Sequence, residues 1–324
     1  MCTAISLRKS NHYFGRNLDL EYHYNEEVVI MPSNYNFPFQ ETMTKPLRYP
    51  MIGIATVIDD IPLYYDAANI HGLSMAGLNF PGNAVYHSAK TECDNVAPYA
   101  FIPWILRQCR TVEDAKKLLL SINITQKAFN DDLPITPLHW MISDFNCSIV
   151  VEPLSNGIKI YDNPIDVLTN NPPFHYHMYN LSNYLNLTSR SPQGDLWKKQ
   201  NLQPFSNGMG SIGLPGDLSS ASRFIKASYL LTNSECKDNE LSCVNQFFHI
   251  LDAVSHTRGS VLVNGKFEIT FYTSCCNTTK GIYYYKTYNN SRVCAVDMHQ
   301  EDLHSNKLIR YPLRTEPDIF REKH

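Results

Sequence analysis

The chain is missing several features, and each absence excludes something. No stretch approaches the ~18 uninterrupted apolar residues of a membrane span. No lysine or arginine run occurs, and 28 basic against 31 acidic residues leave a formal charge of −3, so nucleic acid is not an expected partner. No apolar segment follows Arg8 and Lys9, so no secretory signal is expected here. The nine cysteines are an odd number and none forms a CxxC pair, which points to reduced thiols and a cytoplasmic location. A glycine-rich phosphate loop is also lacking, because "GMGSIGLPG" does not sit between a strand and a helix. Repeats, low-complexity linkers and charge blocks are absent, and turn signals are evenly spread. A single domain over residues 1–324 is the expectation.

Apolar residues make up 43% and charged residues 18%, enough for a sizeable core. Aromatic and β-branched stretches predict strands at "CTAISL", "EVVIMP", "SIVVEP", "GIKIYD", "FEITFYTS" and "GIYYYKTY". The last two flank "CCNTTKG", where Gly281 suits a positive φ and a hairpin. Thr111 caps "VEDAKKLLLSI", with Asp114 completing a capping box and Ala115, Leu118 and Leu119 forming one stripe. "SSASRFIKASYLL" and "VNQFFHILDAVSH" also read as helices. The pattern is α+β with mainly antiparallel pairing.

The second residue carries the chemistry of interest. Once Met1 is removed, Cys2 has both a thiol and a free α-amine. An α-amine titrates near about 7.7–8.0, close enough to working pH to take and return a proton. The alternative is a small hydrophobe in a first strand. In "YFGRNLDLEY", pairing of residues 12–17 back on residues 2–7 would bring Arg16 to Cys2. A guanidinium there favours the thiolate. Asp19 would accept from the α-ammonium, or the two residues are an ordinary surface pair. Acyl transfer also needs oxyanion donors, and "MAGLNFPG" and "DVLTNNPPF" offer asparagines, a residue type commoner in turns.

The blocks "MCTAIS", "YFGRNLDLEY", "PLYYDAANIHGLSMAGLNFPG", "PLHWMISD", "IYDNPIDVLTNNP", "GMGSIGLPGDLSSASRF", "QFFHIL" and "YYYKTYNN" run from residue 2 to about residue 300. Taken together they resemble the bile salt hydrolases, the choloylglycine hydrolases of the N-terminal-nucleophile superfamily. The resemblance implies a four-layer αββα sandwich of two stacked antiparallel sheets flanked by helices. It implies hydrolysis of the amide of glycine- or taurine-conjugated bile salts, with no cofactor. Cys2 would be the nucleophile, Arg16 and Asp19 its supports, and Asn79 and Asn170 the oxyanion residues, with Asn171 the less favoured neighbour. Arg223 would complete the charged set, where a lone helical arginine otherwise reads as surface solvation. A bacterial homotetramer is implied as well.

The substrate would be a rigid apolar body with an anionic tail, so an apolar groove is expected. Leu18 and Ile135 are its candidate walls, and "YHYNEE" and "PLYYDAAN" candidate loops at its mouth; core packing is the commoner role for each apolar residue. Departures from the family pattern fall at His175, Tyr176 and His177, at "ANIHG", and around Trp197. His175 and His177 share a face if extended, but no further ligands match, so no metal is expected. His139 reads as a satisfied core histidine, and adjacent Cys275 and Cys276 point to opposite faces of a strand. Two rivals stand beside bile-salt hydrolysis. One is a penicillin V or acyl-homoserine-lactone acylase, which often carries tyrosine where this chain has Asn79. The other is an inactive steroid- or lipid-binding relative.

Overall fold

A computed structural model describes residues 1–39, 47–192, 200 and 202–323. The strands begin with β1 Cys2–Arg8, β2 His12–Leu20, β3 Glu27–Met31, β4 Met51–Ile58, β5 Ile61–Asn69 and β6 Ser74–Asn79. There follow β7 Asp94–Val96, β8 Ile122–Ile124, β9 Leu138–Ser143, β10 Ser148–Leu154, β11 Gly157–Asp162 and β12 Val167–Leu168. The last are β13 Leu262–Val263, β14 Lys266–Phe267, β15 Ile269–Asn277, β16 Ile282–Thr287, β17 Cys294–Asp297 and β18 Ile309–Pro312. The helices are α1 Phe101–Leu106, α2 Val112–Leu119, α3 Phe174–Asn180, α4 Ser220–Thr232 and α5 Glu240–Asp252.

Two large sheets stack face to face. One has six strands in the order β12-β1-β2-β15-β16-β17, the other eight in the order β11-β10-β9-β6-β5-β4-β3-β18. Every pairing within them is antiparallel. Side-chain alternation sends Ile52, Ile54, Ala68, Ala76 and Met141 of the larger sheet into the core shared with Cys2, Phe14 and Tyr272 of the smaller one. Helices α4 and α5 cover the outer face of the smaller sheet. On the other side, α1 and α2 close a second core with Trp104 and Trp140 against the outer face of the larger sheet. The result is the αββα sandwich that the resemblance implied.

Local chemistry explains much of this. Thr111 and Asp114 form the expected reciprocal capping box on α2. Ser219 caps α4 and Asn239 caps α5. Gly281 takes φ 67° in the β15–β16 hairpin. Gly15 has another reason: a Cβ there would lie 2.1 Å from the Ser274 carbonyl oxygen, so only glycine lets β15 approach β2 this closely.

Some expectations need correction. "PLYYDAAN" is not a mouth loop but most of β5, paired on both edges. Asp59 and Asp60 both have positive φ and close the β4–β5 hairpin, a job that aspartate performs without glycine. The segment around His175 is helical rather than extended. The stretch around Trp197 lies outside the described residues. Among the described residues, no helix is long and apolar enough to cross a membrane.

Candidate active site

Residue pairing places the site. In the β1–β2 ladder Cys2 lies opposite Leu18 and Ala4 opposite Arg16, so Cys2, Leu18 and Arg16 share the inner face. Cys2 and Leu18 are buried, 2% exposed each. Arg16 is wholly buried, and its Nη1 donates to the carbonyls of Tyr65 (3.1 Å) and Gly77. Its Nη2 is buried without a hydrogen-bond partner among the described residues. Burial opposes the Arg16 charge, yet Cys2, Tyr272, Asp66 and Asp19 together raise its pKa above the ordinary guanidinium value.

The Cys2 backbone is held by two residues from distant segments. Its N–H donates to Asn170 Oδ1 at 2.7 Å, and its carbonyl accepts from Arg223 Nη1 at 2.5 Å. Arg223 also donates to Thr3 Oγ1 at 2.5 Å and through Nη2 to Asn170 Oδ1 at 2.9 Å. It is therefore no surface residue: α4 turns it inward, and it is fully buried. That burial lowers its pKa, partly countered by Asp19, Cys2 and Glu268.

Asn170 is the junction of the site. Its own N–H donates to Ser220 Oγ at 2.8 Å, which ties it to the start of α4. Its Nδ2 donates to the Asn79 carbonyl at 2.8 Å. Asn79 thus ends β6 beside Asn170. Asn171 points elsewhere, donating to the Pro81 carbonyl at 2.6 Å, and precedes a cis proline. His177 donates from Nε2 to the Asn170 carbonyl at 3.0 Å, and stacks on Phe224 of α4. His139 is a satisfied core residue, with Nε2 on the Thr169 carbonyl at 2.8 Å and Nδ1 3.3 Å from Glu152.

Two candidates lie apart from the Cys2 thiol. With Met1 in place the residue 2 nitrogen is a peptide N–H on Asn170, and the Asp19 side chain leaves β2 on the opposite face from the thiol. Its Oδ1 instead accepts from Thr270 at 2.5 Å, while Oδ2 lies 4.0 Å from Arg223 and 3.8 Å from His256. A register shift in β15 between Thr270 and Tyr272 turns Thr270 to Asp19. Ile135 is only half-buried and packs against the outer core of Trp104 and Trp140, not the core that holds Cys2. It precedes β9 in a loop, where no alternation dictates which way a side chain faces.

Other residues at the site were not singled out from sequence. The α-ammonium of Met1 lies 2.5 Å from Glu268 and donates to the Asp19 carbonyl at 2.7 Å. Asp66 lies beneath Arg16 and accepts from Tyr272 at 2.6 Å, Ser274 at 3.1 Å and Tyr283. Burial raises the Asp66 pKa, with Arg16 and the three hydroxyls pulling the other way. A charged residue amid strand-forming apolar ones, as in "KFEIT", was the only available signal for Glu268. Among the described residues, no group of three or more His, Cys, Asp or Glu side chains is placed to hold a metal ion.

The histidine under Asn170 gives a measurable pH effect. Burial lowers the His177 pKa from 6.5 to about 4, despite the Asn170 carbonyl. A depressed histidine contributes stability above its unfolded value and loses it as pH falls toward the folded one. Stability is therefore expected to drop between pH 6.5 and about 4, by up to about 1.4 kcal/mol per pH unit for each such group. His12, lowered to about 3 by burial and by Arg8, extends the loss. Urea midpoints across this range should fall less steeply in His177→Gln; an unchanged slope would exclude His177 as a contributor.

The fold resembles that of the penicillin V acylase from Agrobacterium tumefaciens, with a TM-score of 0.74 over 97% of this chain and 92% of that one at 18% identity. The shared fold is the αββα sandwich of two stacked antiparallel sheets. Residues 2–311 match the linear amide C–N hydrolases, choloylglycine hydrolase family. A crystal structure of a variant of the conjugated bile acid hydrolase from Clostridium perfringens superposes with a TM-score of 0.91, covering 99% of this chain and 100% of that one at 36% identity. The bile salt hydrolase/transferase of Lactiplantibacillus plantarum is 45% identical over 99% of both chains. That of Clostridium perfringens is 38% identical over 96% of both. The chain belongs to the choloylglycine hydrolase family and is a linear amide C–N hydrolase.

Proposed function

We propose that this enzyme hydrolyses the amide that joins a bile acid to glycine or taurine. The reading is carried by one observation: residue 2 is a cysteine whose backbone is clamped by Asn170 and Arg223 on a strand paired to that of Arg16. With Met1 removed, the Cys2 thiol attacks the amide carbonyl, its α-amine takes the thiol proton and gives it to the leaving amine, and water then cleaves the resulting thioester to free the bile acid and restore the thiol. Arg16, whose Nη2 has no hydrogen-bond partner among the described residues, favours the thiolate and the developing negative charge. Asn79 and Asn170 serve the oxyanion. Asp19 and Arg223 form the charged frame behind the nucleophile, and Leu18 lines the apolar approach. A homotetramer in the cytoplasm, its single domain spanning residues 1–324 less Met1, completes the proposal; light scattering of the purified protein tests the subunit number.

Purified protein incubated separately with glycocholate, taurocholate and penicillin V should release amine from the two bile salts. Release from penicillin V alone would favour the acylase alternative, against which Asn79 speaks. Release from none would favour a binding protein, against which the presence of Cys2, Arg16 and Asp19 together speaks.

A further inference from the structure

A buried array lies behind residue 2, and of its side chains only Asp19 entered the chemistry above. His256 follows α5, and its backbone is pinned to the start of β15: its N–H donates to Thr270 Oγ1 at 2.8 Å, and Thr270 N–H donates to its carbonyl at 3.1 Å. Its ring lies between two carboxylates, with Nδ1 2.8 Å from Glu268 Oε1 and Nε2 3.8 Å from Asp19 Oδ2. All three side chains are buried. The second Glu268 oxygen faces the N-terminal ammonium at 2.5 Å. Two buried carboxylates are costly, and an apolar cluster would stabilise the fold at least as well. Their arrangement therefore calls for a reason other than stability.

Position along the chain supplies that reason. The ammonium that Glu268 holds belongs to Met1, one residue before the nucleophile. Removal of Met1 transfers the terminal amine to the Cys2 nitrogen, about 3.5 Å along the backbone. Glu268 Oε2 and the Asp19 carbonyl then have no Met1 ammonium to bind, and the Cys2 amine is the next amine of the chain. Other charged or titratable groups also face it: Asp19 and Arg16 from β2, Arg223 from α4, His256 from the loop after α5, and the Cys2 thiol itself.

Resting on the proposed role of the Cys2 amine, we infer that Glu268, oriented by His256, is a positioning residue for that amine and sets the pH at which it works. A nearby carboxylate favours the ammonium over the free base. Glu268 already responds in this way to the Met1 ammonium: burial raises the Glu268 pKa, but His256 and that ammonium outweigh it and the carboxyl is held below its ordinary value. The enzyme is active when the amine is free, so the Glu268 charge moves the acidic limb of the rate profile upward.

The test is the pH dependence of kcat/KM for glycocholate hydrolysis. Glu268→Gln should shift the acidic limb to lower pH by about one unit, with KM changed by less than about twofold. Glu268→Asp keeps the charge and should keep the limb, even if kcat falls. A merely structural Glu268 would lower the rate at every pH and leave the limb in place, and that result in a folded Glu268→Gln protein overturns the inference. Should Glu268→Gln fail to fold, Glu268→Leu takes its place, since it removes the charge without leaving a buried polar group unpaired: a limb lowered by about one unit supports the inference, and a limb left in place overturns it. Absence of turnover by the wild type would instead sink the proposed substrate. If the wild type cleaves penicillin V, the same comparison applies on that substrate.

Discussion

Cys2→Ser is expected to fold as the wild type does and to lose at least about 10²-fold in kcat, since a hydroxyl is far less nucleophilic than a thiolate. The substitution is nearly isosteric at a buried position whose backbone contacts, to Asn170 and Arg223, do not involve the sulfur. The thermal midpoint should therefore stay within a few degrees, since about 1 kcal/mol moves it only about 2–4 °C in a chain of this size. The surroundings that help a thiolate do less for serine. The Arg16 charge assists an anion, and at neutral pH a serine hydroxyl supplies almost none. Amine release from glycocholate, followed together with the melting curve, separates lost chemistry from lost fold. Wild-type turnover by Cys2→Ser would remove Cys2 from the reaction.

A chain that keeps a residue ahead of Cys2 is expected to be inactive, even when folded. Its Cys2 nitrogen is then a peptide nitrogen, whose lone pair is delocalised into the carbonyl and cannot accept a proton. In that form the Cys2 N–H donates to Asn170, and Met1 is knitted in by its own bonds: its carbonyl accepts from the Asp19 N–H at 2.9 Å, and its ammonium meets Glu268 at 2.5 Å. The extra residue thus fits the sheet and should not unfold it. Intact mass shows whether active protein starts at Met1 or Cys2. A protein bearing a non-cleavable residue before Cys2 should give no measurable amine release. Full turnover with Met1 in place would rule out the α-amine as the base.

Legibility in the sequence followed local physics. The Thr111–Asp114 box and the Gly281 hairpin depend on neighbours within a few residues, and each formed where the sequence placed it. The β1–β2 hairpin was equally accessible, and with it the approach of Arg16 to Cys2. Strands β4 to β6 and β9 were not singled out. They lie inside the larger sheet with both faces covered, so they carry little polar–apolar alternation, and β5 was mistaken for a loop because of its polar tail "YYDAAN". Side chains whose purpose lies far along the chain were least legible. Glu268 meets residue 1, Asp66 meets residues 272, 274 and 283, and His256 spans Asp19 and Glu268. Ile135 was illegible for the converse reason: an apolar residue in a loop gives no sign of which core it joins.

By itself the amino-acid order determined the nucleophile, its likeness to the choloylglycine hydrolases, and the short-range caps and turns, because these are set by residue chemistry and by neighbours in the chain. Only tertiary structure decided that Asp19 faces Arg223 and His256, that Arg223 is buried rather than solvated, and that Glu268 closes on the N-terminus. The physical reason is that strand alternation and sheet stacking choose the face of each side chain, and the partners on that face come from segments hundreds of residues away.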